Sequence, residues 1–152
     1  MGRFAEGTER YFFDSILRAE SFVVSPIFFY KGDGSGELIQ GLHASGFFWR
    51  HAENIFLITN RHVVTGKDNF TNLYVHNKNF EPHRIRCFLT DPKHDSSGEM
   101  FSIDRIPIDL DLYDSDGAKN WFEHPVSEFQ VDVVALSLQR NDFSSISPLK
   151  FA

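Results

Sequence analysis

A histidine and an aspartate stand at strand ends in this chain, and together these side-chain types can do acid–base chemistry. His62 follows the apolar run Ile55-Phe56-Leu57-Ile58, with Thr59-Asn60-Arg61 between them. Asp132 directly precedes Val133-Val134-Ala135-Leu136. A strand holds its position while its tip meets solvent, so its end is a good mount for a reactive group. An imidazole can take up and return a proton near neutral pH. A carboxylate behind it fixes the tautomer and steadies the imidazolium. A serine hydroxyl is a weak nucleophile and needs such a base close by. The fold, not the spacing along the chain, brings such groups together. Taken singly, each residue has a plainer reading. His62 is then a polar residue at a strand end. Asp132 is an acid flanking a buried strand, where it must be solvated, paired or protonated.

The elements that would position them are short. Residues 8 to 20 are expected to form an N-terminal helix capped by Thr8, with Tyr11, Phe12, Ser15 and Ile16 near one face. The run from Ser21 to Tyr30 is extended, and its Pro26 suits an edge or a bulge. Lys31-Gly32-Asp33-Gly34-Ser35-Gly36 is a turn cluster. Strands are predicted near Leu38–His43, Ser45–Arg50, Ile55–Thr59, Leu73–Asn77, Arg84–Leu89 and Val133–Leu138. Val63–Gly66 reads as one helical turn closed by Gly66. Asp91–Gly98 reads as a polar loop, and Phe101–Leu112 as a further strand or hairpin. Short β runs separated by turns predict a barrel or sandwich.

Composition narrows the class. The chain has 152 residues, enough for one domain with a sizeable core. Its 17 phenylalanines cluster with Val and Ile in short runs, which favours strands. The net charge of -6 and the scattered basic residues argue against nucleic acid as a partner. His83-Arg84-Ile85-Arg86 alternates as one solvated face of a strand. The single cysteine, Cys87, lies in an apolar strand and is expected to be buried and inert. No secretory leader and no stretch long enough to span a membrane is seen, so a soluble, cytoplasmic protein is expected. The sequon Asn69-Phe70-Thr71 has no secretion signal to give it meaning.

Rival chemistries fit less well. Asp114, Asp116, Gly117 and Glu123 fall at calcium-loop spacing, but Leu112 then occupies the first ligand position and cannot coordinate. The stretch reads as a solvated turn. The seven histidines form no zinc motif, and no cysteine pair exists. The glycines at 32, 34 and 36 are not followed by a Lys-Ser/Thr pair opening a helix, so no phosphate loop is read. No metal and no cofactor is expected.

Three segments in order carry a likeness. Ser45-Gly46-Phe47-Phe48, then Leu57-Ile58-Thr59-Asn60-Arg61-His62-Val63-Val64, then Asp132-Val133-Val134-Ala135-Leu136 resemble the trypsin-like, chymotrypsin-fold serine peptidases. The bacterial trypsin-like and HtrA-like branch is nearest in look, and Trp121-Phe122 with His124-Pro125 adds to the likeness. The resemblance covers about residues 22 to 140. It implies an all-β protein: an antiparallel Greek-key β-barrel of about six to seven strands, half of a double-barrel fold. Residues 1–20 would be a helical extension, 21–140 the barrel and 141–152 the start of a linker. It also implies that His62 is the general base and Asp132 its orienting partner in a Ser-His-Asp triad.

The nucleophile has no counterpart. The family carries its serine in a Gly-x-Ser-Gly setting on a second barrel, with the oxyanion hole and the substrate pocket. Ser144, Ser145 and Ser147 lack glycine neighbours and read as linker, while Ser35 precedes His62 and reads as a turn residue. The chain is therefore expected to be the front part of a serine endopeptidase, inactive alone. Its partners would be a polypeptide substrate and a second barrel or partner chain. The apolar cleft face could also self-associate. The competing expectation is a non-catalytic, peptidase-like barrel that binds peptide or protein, for example by strand addition.

Overall fold

A computed structural model describes residues 24–51, 54–76, 80–125 and 131–138. The expected N-terminal helix over 8–20 and the linker over 141–152 lie outside them. Among the described residues seven strands form one antiparallel sheet curled into a half-barrel. They are β1 (Val24–Tyr30), β2 (Leu38–His51), β3 (Asn54–Thr59), β4 (Arg84–His94), β5 (Met100–Asp111), β6 (Trp121–Glu123) and β7 (Val134–Leu138). Among the described residues one short helix, α1 (Arg61–Thr65), follows β3. The strand order is β5-β4-β1-β2-β3-β7-β6.

The core follows the two-residue period of the strands. Ile27 and Phe29 of β1, Ile55 and Leu57 of β3, and Val134, Leu136 and Leu138 of β7 are buried. Ile85, Cys87 and Leu89 of β4 face Ile108 and Leu110 of β5 from the same side. Cys87 is wholly buried and serves as a small apolar side chain there. Val63 and Val64 of α1 close the end of this core.

Several segments differ from the sequence reading. The two strands expected at 38–43 and 45–50 are one, β2, which Gly41 bends with a φ of 76°. Asp91–His94 prolongs β4 rather than starting the loop, and the turn falls at Asp95–Glu99, where the Asp95 carboxylate accepts the N–H groups of Ser97 and Glu99. Of the strand expected at Leu73–Asn77, the described part, Leu73–His76, is not a strand; Tyr74 only bridges Lys67, and the loop folds back on α1 through Val75 N–H to Gly66 O.

β1 is an interior strand, not an edge. Pro26 survives there because the β1–β4 ladder is cut short, pairing Phe28 with Arg86 and Phe29 with Ile85. Continuing that register sets Pro26, which has no N–H, opposite Phe88. The buried Ser25 hydroxyl accepts the Phe88 N–H at 2.8 Å instead. The irregularity expected of this strand is present as a register shift between Phe28 and Tyr30.

Gly46 sets the contact between β2 and β3. A Cβ at this position would meet Ile58 O at 2.8 Å and Leu57 Cδ1 at 2.9 Å. Thr59 Oγ1 donates to Ser45 O at 2.9 Å and pins the last residue of β3 to the same place. The end of β3, from which the chain turns to His62, is thereby fixed.

Candidate His–Asp site

β3 and β7 are neighbours, and their ladder ends where Thr59 faces Val134. Past this rung one chain leaves towards α1 and the other arrives from Asp132. Asn60 has extended backbone, and α1 starts at Arg61, so the turn lifts His62 over the end of β7. Gly66 ends the helix in the left-handed region, φ 70°, and its N–H bonds His62 O at 2.9 Å. The helical turn expected at 63–66 is thus present and begins slightly earlier.

His62 and Asp132 meet. Nδ1 lies 2.6 Å from Asp132 Oδ2, and the backbone N–H of His62 donates to Oδ1 at 3.0 Å. The Asn60 side-chain amide donates to the Asp132 carbonyl at 3.0 Å. An ionised carboxylate only accepts, so Nδ1 carries the proton and Nε2 remains as the basic nitrogen. The two side chains are 41% and 30% exposed, so the imidazole meets solvent. A pair this open adds little to stability. Its effect is to orient the ring.

Three charged groups stand on the segments next to the pair. Asp68 follows α1, and the Thr71 N–H and hydroxyl hold its carboxyl below the usual range, with a small contribution from His62. Arg61 reaches Glu123 Oε1 at 3.6 Å and Asn69 Oδ1 at 3.4 Å, tying α1 to β6 and to the following loop. Burial pushes the Glu123 carboxyl up. Bonds from Trp121 and Lys119 and the charge of Arg61 outweigh burial and hold it below its ordinary value. That loop also turns Phe70 and Leu73 out to solvent.

The remaining candidates lie elsewhere. Ser35 sits in an exposed turn, where its hydroxyl accepts the Glu37 N–H. Ser144, Ser145 and Ser147 lie outside the described residues. The Asp114 carboxylate accepts the N–H groups of Asp116 and Ala118, which closes a hairpin turn. Among the described residues no cluster of His, Cys, Asp or Glu is arranged to hold a metal ion. From the sequence, Asn60 and Arg61 are read only as part of the motif around His62, and Glu123 only at calcium-loop spacing; none of them is assigned to this site there. The residue type of Asn60 signals a helix N-cap, not its bond to Asp132.

The fold and site together define a seven-stranded antiparallel half-barrel β domain that bears a paired histidine and aspartate. No family model matches the chain, and neither a curated protein nor a solved structure matches it.

Proposed function

We propose that this chain supplies the His and Asp of a Ser-His-Asp triad in a serine endopeptidase of the trypsin-like type, with the sheet forming a Greek-key barrel of that fold. The observation that carries the reading is the 2.6 Å contact of His62 Nδ1 with Asp132 Oδ2, made by two residues 70 positions apart. In this mechanism Nε2 of His62 takes the serine proton as the hydroxyl attacks the peptide carbonyl. It then returns that proton to the leaving amine. Asp132 holds the ring in the Nδ1–H tautomer and stabilises the imidazolium. The serine and its oxyanion donors come from outside the described residues or from a partner chain. Without the nucleophile, the rate falls by about 10⁴ to 10⁶. The test is hydrolysis of fluorescently labelled casein by the full product of the gene. The expected result is cleavage that His62→Ala abolishes at unchanged fold. Cleavage that survives this change removes His62 from the mechanism.

A second reading is a peptide- or protein-binding module without catalysis. The outer sheet face favours it, since Phe47 and Trp49 of β2 and Phe122 of β6 are largely exposed. Trp49 also stacks on His51 and leans on Phe56. Exposed aromatic clusters of this kind mark contact surfaces. A folded full-length product that never cleaves casein supports this second reading.

A further inference from the structure

Asparagine is among the best N-cap residues, because its side-chain oxygen takes an N–H group of the first helical turn. Asn60 occupies the N-cap of α1 with suitable backbone, φ -74° and ψ 148°, yet its side chain makes no capping bond. Its amide points across the site and donates to the Asp132 carbonyl at 3.0 Å. The capping duty passes to Asp132, whose Oδ1 takes the His62 N–H at 3.0 Å. Asn60 and Asp132 are 72 positions apart, and the two bonds clasp the Asp132 segment to the start of α1, one through Asn60 and one through the His62 N–H.

The clasp sits where the sheet stops providing order. The β3–β7 ladder runs from Ile55 opposite Leu138 to Thr59 opposite Val134. Asp132 lies beyond its last rung. A bond from Asn60 carries the pairing past that rung and fixes the backbone from which the carboxylate projects. The same carboxylate bonds His62 Nδ1 through Oδ2. A shift of the Asp132 backbone would move both oxygens at once.

We propose that Asn60 is a positioning residue, which holds the Asp132 carboxylate against the His62 imidazole. It bonds the Asp132 backbone and not the ring, so it acts through Asp132. Its catalytic meaning rests on the peptidase reading, but its geometry does not.

The test is proton NMR of the full gene product labelled with ¹⁵N. The His62 Nδ1 proton, assigned by its absence in His62→Gln, is expected far downfield and slow to exchange in the wild type. Asn60→Ser keeps an N-cap oxygen but has no amide to reach Asp132. It is expected to retain the wild-type melting temperature and lose this resonance to exchange. If Asn60→Ser does not fold, Asn60→Asp gives the same comparison, since it too keeps an N-cap oxygen and has no amide to reach Asp132. An unchanged resonance in a folded Asn60 variant overturns the proposal, as does its absence from the wild type. An Asn60-dependent resonance in a protein that cannot cleave casein upholds the clasp and removes the peptidase reading.

Discussion

Asp132 is bonded to His62 twice, once through the imidazole Nδ1 and once through the backbone N–H. A carboxylate held at both oxygens cannot swing away from the ring without breaking the start of α1. Asp132→Asn keeps the volume but replaces one accepting oxygen with a donor, which favours the wrong imidazole tautomer. On the proposed function, casein hydrolysis by the full gene product is expected to fall by about 10⁴. Thermal stability is expected to change by no more than about 1 kcal/mol, because the pair is half-exposed. Parallel activity and melting measurements separate the two effects.

Gly46 is expected to tolerate no side chain. Gly46→Ala would drive a methyl group into Ile58 O, Leu57 Cδ1 and, at 3.1 Å, Ile27 Cδ1. Overpacking of this kind costs about 1–3 kcal/mol. Gly32→Ala, where a Cβ meets nothing within 4 Å, is the control and is expected to stay within about 0.5 kcal/mol. Chemical denaturation of both variants checks the contrast.

Ser25→Ala removes the acceptor that replaces a ladder bond opposite Pro26. The Phe88 N–H then has no partner in a part-buried position. A loss of about 1–3 kcal/mol is expected. A melting temperature equal to that of the wild type would show that water takes over the bond.

Part of the acid sensitivity should trace to Asp109. Arg86 grips its carboxylate with two bonds, at 2.7 and 2.9 Å, and the Tyr30 hydroxyl adds a third. These bonds, Arg86 foremost, hold the carboxyl below its ordinary 3.8. A carboxyl whose folded value lies below its unfolded value stabilises the fold above the unfolded value. That stabilisation fades as pH falls from 3.8 through the folded value. The wild type is expected to lose stability over that range, and Asp109→Asn to lose about 1.5–3 kcal/mol at neutral pH and show a flatter acid limb. Melts across the acid range decide this.

How much of this was legible beforehand differs from residue to residue. The β3 and β7 strands could be read because both are apolar runs with a polar residue at one end, and His62 and Asp132 were flagged by those ends. Gly66 announced the close of α1 by its type and place. The interior position of β1 could not be read, because the rescue of Pro26 depends on Ser25 meeting Phe88 63 positions away. Leu73–Asn77 looked like a strand by composition, but Phe70 and Leu73 stay exposed and the loop bonds to itself. β6 is only three residues long and carries too little pattern to be seen. The part played by Asn60 was hidden for the same reason as that of Ser25. A side-chain bond across 72 positions leaves no local periodicity.

The most direct measurement is labelling of the full gene product by a fluorophosphonate, with the modified residue located by peptide mass. The proposed function predicts one labelled serine in the wild type, and none in His62→Ala at equal folded content. A labelled serine that persists without His62, or a folded wild type that takes up no label at all, would contradict it.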